Sequence, residues 1–179
     1  MKTSFDVLLH LALLALLALP AVGQAQLTYT TNNGALTITG YDGPGGALSI
    51  PAAINGLPVT RIGDKAFGSC TNLTDVTIPN SIISIGQRAF YFCTSLTNVS
   101  IGTSVASIGQ GGFCYCWSLP SVTIPAGVIS IGGAAFYDCT SLTNVTIPTS
   151  VTSIGDHAFS FCTHLTSVTI PNCITNIVW

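Results

Sequence analysis

The stretch CTSLTNVTIP, Cys139 to Pro148, returns in nearly the same form as CTSLTNVSIG from Cys93 and as CTNLTDVTIP from Cys70. The copies are offset by multiples of 23 residues. A fixed interval of this kind has to be read before any single element, because a missed repeat mis-assigns the whole fold. At this step Phe67 recurs as Phe90, Phe113, Phe136 and Phe159, and Cys70 as Cys93, Cys116, Cys139 and Cys162. Ile62, Gly63, Leu73, Val76 and Ile78 begin five more columns with five members each.

A unit of 23 residues is too short to close a core alone. Stacked units bury each apolar column against its own copies, so the unit is one coil of a solenoid. Within it Val76-Thr77-Ile78 alternates in, out, in as a strand does, and Pro79, Pro125, Pro148 and Pro171 end the strand by removing the next donor. The glycine after Ser-Ile marks a turn. Ala-Phe, two variable residues and Cys read as a short helical or irregular turn on the convex side. The fold class expected is an α/β solenoid, β-rich, with parallel strands on the concave face.

The pattern L-x-x-V-x-I, then I-G, then A-F-x-x-C, seen intact in LTNVTIPTSVTSIGDHAFSFC from Leu142 to Cys162, resembles the BspA-type leucine-rich repeats of bacterial surface and secreted proteins. The resemblance runs from about Val59 to the C-terminus. It implies a curved parallel-strand solenoid and a role in adhesion and in protein or matrix binding, without catalysis. QGGFCYCWSLP, Gln110 to Pro120, departs from the pattern by placing Gly112 before the phenylalanine and adding Cys114.

Three regions follow: a signal peptide over 1–25, a hairpin with an atypical capping coil over 26–58, and a solenoid of about five coils over 59–179, the last incomplete. Val7 to Leu19 is an apolar run of 13 residues after Lys2, with Gly23-Gln24-Ala25 as a small-residue cleavage site. At ~1.5 Å per residue it reaches ~20 Å, short of a ~30 Å bilayer core, so no membrane span is expected after cleavage. LTYTTNNGALTITGY, Leu27 to Tyr41, alternates on both sides of Asn32-Asn33-Gly34, a hairpin signal. The chain stops at Trp179 half a coil after its last full unit. That leaves two expectations open, a truncated product or an uncapped coil that self-associates.

Beyond the leader the cations are Arg61, Lys65 and Arg88, too few and too scattered to neutralise nucleic-acid phosphates. His157 shares a column with Lys65 and Arg88, and His164 with Asn72 and Ser141, both outward-facing. Asp64 and Asp156 lie four coils apart, too far for paired acid/base chemistry. No hydrolase, metalloprotease, phosphate-loop or dinucleotide motif occurs, so no enzyme, cofactor or metal is expected. The ladder cysteines could pair by distance, but side chains stacked in parallel inside a core are expected to remain free thiols, with Cys114 and Cys173 more exposed.

Two surfaces could bind a protein or glycan partner. The outward strand column Thr77, Ser100, Thr123, Thr146 and Thr169, with Asn98 and Asn144 beside it, lines the expected concave face. Thr is also simply a favoured exposed strand residue. The alternative use of such a ladder is adsorption to ice or a crystalline polysaccharide. The second surface is aromatic, Tyr91, Phe92, Tyr115, Trp117, Tyr137 and Phe161, and these rings can stack on sugars or pack on one another. Three N-x-S/T triplets, at Asn72, Asn98 and Asn144, follow from the repeat itself.

Overall fold

The computed structural model describes residues 26–172 and 174, so the expected signal peptide, Cys173 and the last residues lie outside the described residues. The chain opens with an antiparallel hairpin, β1 (Leu27–Asn32) and β2 (Ala35–Tyr41). Asn33 and Gly34 both take positive φ, 49° and 76°, as the tightest hairpin turn requires. β3 (Gly46–Ser49) follows, and then a second hairpin, β4 (Ala53–Ile54) and β5 (Leu57–Ile62), turns on Asn55-Gly56 in the same way.

From here each coil contributes one Val-centred and one Ser-Ile strand. They are β6 (Leu73–Thr77), β7 (Ser84–Ile85), β8 (Asn98–Ser100), β9 (Ser107–Ile108) and β10 (Ser121–Thr123). β11 (Ser130–Ile131), β12 (Asn144–Thr146), β13 (Ser153–Ile154) and β14 (Ser167–Thr169) complete the series. The Ser-Ile strands join one wall in the order β1-β2-β5-β7-β9-β11-β13, with β4 beside β5. The Val-centred strands form a second wall in two pieces, β3-β6-β8 and β10-β12-β14.

The capping residues fill a layer of their own. Ile38 of β2 pairs with Ile62, Leu48 of β3 with Val76, and the Tyr41 ring meets Phe67 at 5.7 Å. With that layer the stack makes about six turns.

The third wall corrects one expectation. Among the described residues there is no α-helix, and the Ala-Phe segment is a chain of turns. Alternate N–H groups close i→i+3 turns inside the coil, as Ala66 to Gly63 O at 3.3 Å and Gly68 to Lys65 O at 2.9 Å. The others donate to the next coil, as Lys65 to Gln87 O, Phe67 to Ala89 O and Ser69 to Tyr91 O, at 2.7 to 2.9 Å. A helix would turn every donor inward and needs ~10 Å of width where stacked coils allow ~4.8 Å. Left-handed residues make the alternation possible: Lys65, Arg88, Gly111, Ala134 and His157 in one column, Ser69, Phe92, Tyr115, Asp138 and Phe161 in another. The α/β label therefore gives way to an all-β solenoid. Hydrogen bonds space the coils on all three walls, and the helix-against-strand width mismatch that curves an α/β repeat is absent.

The glycine after Ser-Ile has a reason other than a turn. A Cβ on Gly109 would lie 2.6 Å from the backbone carbon of Gly86 one coil earlier, so close stacking excludes any side chain. Inside the three walls Phe67, Phe90, Phe113 and Phe136 are fully buried, their rings parallel at 4.9 to 5.4 Å from one to the next. In the last described coil Phe159, Leu165 and Val168 are half-buried and line a 330 Å³ apolar recess.

Candidate binding surface

The Val-centred wall presents alternate side chains to solvent because the buried partners Val76, Val99, Val122 and Val145 hold its register. Thr77 faces Ser100, and Thr123, Thr146 and Thr169 follow one another across paired strands. Asn98 stands beside Asp75, and Asn144 between Ser121 and Ser167. All seven residues expected on this surface, Thr77, Ser100, Thr123, Thr146, Thr169, Asn98 and Asn144, are exposed. Ser121, Thr123, Asn144, Thr146 and Pro148 line a shallow 240 Å³ depression in it.

A feature not anticipated from the repeat divides this wall. In the column Thr74, Thr97, Pro120, Thr143, Thr166, the N–H groups of Thr97, Thr143 and Thr166 reach the carbonyl of the coil before, as Thr97 to Thr74 O at 2.8 Å and Thr166 to Thr143 O at 2.9 Å. Their hydroxyls donate to the same carbonyls at 3.1 and 3.0 Å. Pro120 has neither donor, and the sheet is broken there, between β8 and β10. Pro120 was visible in the sequence as the one departure in an otherwise threonine column.

The ladder cysteines are free thiols pointing into the core. Cys93 Sγ donates to Phe67 O at 3.1 Å, Cys116 to Phe90 O at 3.2 Å, Cys139 to Phe113 O at 3.2 Å and Cys162 to Phe136 O at 3.1 Å. Desolvation pushes Cys93 up to about 12 and raises Cys116 and Cys139 well above the ordinary thiol value. Cys70 is half-buried and raised by the same cause. Cys114, expected to be exposed, is buried at 6% and raised to about 11 by desolvation and the Asp138 charge. It shares a column with Tyr91 and Tyr137.

The remaining polar candidates are scattered. His157 and His164 are exposed, His157 near Ser160 and His164 Nδ1 donating to Thr140 O at 2.6 Å. Asp64 Oδ1 accepts the Gln87 N–H at 2.7 Å, a coil-to-coil tie far from Asp156. Among the described residues no three His, Cys, Asp or Glu side chains form a group that could hold a metal ion. The wall thus offers hydroxyls and amides suited to hydrogen bonding.

Residues 60–178 match the model of the BspA type leucine rich repeat region in six copies. The chain belongs to the BspA-type leucine-rich repeat family. Solved structures agree: a leucine-rich repeat protein of T. pallidum is 36% identical with a TM-score of 0.81, over 85% of this chain and 71% of that one. A leucine-rich repeat protein of Bacteroides ovatus is 34% identical at 0.74, over 82% of this chain and 40% of that one. A leucine-rich cell surface protein of Faecalibacterium prausnitzii is 34% identical at 0.70, over 80% and 37%. The chain therefore spans well under half of the latter two. No curated protein matches the sequence.

Proposed function

We propose that this BspA-type chain is a non-catalytic binding module that works outside the cell or on its surface, engaging a protein or glycan through the Val-centred wall. The observation that carries the reading is the register of Thr77 with Ser100 and of Thr123 with Thr146 and Thr169, all exposed together with Asn98 and Asn144. Family membership supports it, as does similarity to a chain described as a cell surface protein. Each hydroxyl or amide bond contributes only about 1 kcal/mol, so affinity would come from many of them along the stack. The break at Pro120 interrupts the hydroxyl array, which favours a macromolecular partner over adsorption to a crystal lattice.

The test is capture of the purified protein on immobilised matrix proteins and on a glycan array, repeated with Thr123→Arg and Thr146→Arg. An arginine at the centre of the wall overhangs the 240 Å³ depression, and capture should fall at least about tenfold. Capture equal to wild type in both variants removes this wall as the binding surface.

A further inference from the structure

The turn wall carries a second set of side chains that the fold does not need. Tyr91, Phe92, Tyr115, Trp117, Tyr137 and Phe161 stand outside the core, and each ring meets a ring of a neighbouring coil. Phe92 meets Trp117 at 5.1 Å, Tyr91 meets Tyr115 at 5.5 Å, Tyr115 meets Tyr137 at 5.6 Å and Tyr137 meets Phe161 at 5.1 Å. The result is a continuous file of rings running along the stack. Trp117, at 39% exposure, and Phe161, at 63%, open it to solvent, and the other four rings are half-buried beside them.

Three of these rings sit where an aromatic residue is costly. Phe92, Tyr115 and Phe161 have φ of 60°, 61° and 61°, a left-handed backbone that costs a bulky residue about 1–2 kcal/mol. Ser69 and Asp138 occupy the same column with the same φ sign and the same coil-to-coil N–H bond, so the fold accepts small polar residues there. Edge-to-face contacts return about 0.5–1.5 kcal/mol each. That offsets the strain more fully at Tyr115, which touches several rings, than at Phe161, whose ring contact among the described residues is with Tyr137 and which is 63% exposed.

The chemistry of the file narrows the ligand it suits. Its two charges are turned onto its own rings: Arg88 lies over the Tyr91 ring at 5.7 Å, and Asp138 accepts the Trp117 Nε1–H at 3.0 Å. Its flank is hydroxyl-bearing, Thr94, Thr140 and Thr163 sharing the Trp117 column. A globular protein partner needs a broad patch of about 800 Å² with a dry centre, whereas this is a single row of rings. A narrow row of rings packed edge to face, its two opposite charges engaged within the row and a column of hydroxyls beside it, matches a neutral linear polymer that offers C–H faces and hydroxyl edges.

We propose that Tyr91, Phe92, Tyr115, Trp117, Tyr137 and Phe161 form a second binding surface, separate from the Thr/Asn wall, for a neutral polysaccharide chain lying along the solenoid axis. The probes are insoluble cellulose and chitin in sedimentation assays and soluble mannan, starch and mixed-linkage β-glucan in affinity gels. At least one should retain the protein, and about 1 M salt should leave that retention unchanged. Trp117→Ala and Phe161→Ala should each weaken retention at least about tenfold, Trp117→Phe by less than about threefold, and Thr123→Arg not at all. Phe161→Ala removes a mostly exposed side chain and so keeps the fold, which its thermal unfolding verifies. The proposal is overturned if no polymer in the set retains the protein, or if both alanine variants keep wild-type retention. Retention abolished by salt overturns it in favour of an acidic ligand. Ring-dependent capture only by a protein stripped of its glycans overturns it in favour of a protein interface.

Discussion

The ladder cysteine fills core volume and also donates, each thiol reaching a phenylalanine carbonyl one coil back. Such a thiol must stay protonated, and this ties stability to pH. The folded-state values of Cys93, Cys116 and Cys139 are raised by burial above the ordinary 9.0. A raised acid favours the folded state fully below its unfolded value, and that advantage is lost as pH climbs toward the folded value. Each of these three fully buried thiols should therefore cost about 1.4 kcal/mol of stability per pH unit above 9. Urea midpoints should show no thiol-dependent change between pH 7 and 8 and should drop from pH 9 to 10.5. In Cys116→Ala the slope of that drop should shrink by about 1.4 kcal/mol per pH unit; an unchanged slope would mean the thiols are ionised or oxidised in the native chain. The column of cysteines was legible in the sequence as core, because it travels with Phe and Leu. The burial of Cys114 was not, since it stands outside that column and shares its own with Tyr91 and Tyr137.

At the scale of the element, the Val-centred strands and the first hairpin were legible, and the Ser-Ile strands and the turns of the third wall were not. Val-Thr-Ile alternation and the proline that ends it name a strand wherever they occur. Gly-Asp-Lys-Ala-Phe-Gly-Ser-Cys, by contrast, carries no sign that Lys65 and Ser69 adopt left-handed backbone, which glycine or asparagine would normally announce. The preference is imposed by the neighbouring coil, which needs every second N–H pointed along the stack. Asn55-Gly56 was an overlooked hairpin signal of the ordinary kind. The break in the Val-centred wall follows from a single element property, the missing donor of Pro120. Pro120→Thr supplies an N–H and a hydroxyl facing the coil that ends in Ser100, as Thr97 and Thr143 do in their own coils. Each bond adds about 1 kcal/mol, less the roughly 0.4–1 kcal/mol by which proline restrains the unfolded chain. The variant should gain about 1 kcal/mol in urea unfolding, and its residue 120 amide should be protected from hydrogen exchange. An unprotected amide would place the cause of the break elsewhere.

For the whole molecule the repeat makes stability a property of position along the stack. Each coil contacts only its neighbours, so the free energy approximates a sum of coil terms and coil-to-coil interfaces. Phe113 and Phe159 are the same residue in the same column, yet they differ in surroundings. Phe113 lies between Phe90 and Phe136 at 5.0 and 5.4 Å and is fully buried, whereas Phe159 is half-buried and meets Phe136 on one side. Truncating a buried phenylalanine costs about 3–5 kcal/mol, and less where the site is already partly open. Phe113→Ala should therefore lose about 4 kcal/mol and divide the stack, so that the coils on its two sides unfold at separate urea midpoints. Phe159→Ala should lose about half as much and leave one transition, with faster amide exchange confined to the coil of Phe159 and its immediate neighbours. Equal losses in the two variants would mean that the coils do not act through their neighbours, and that the stacked phenylalanines are not what joins them.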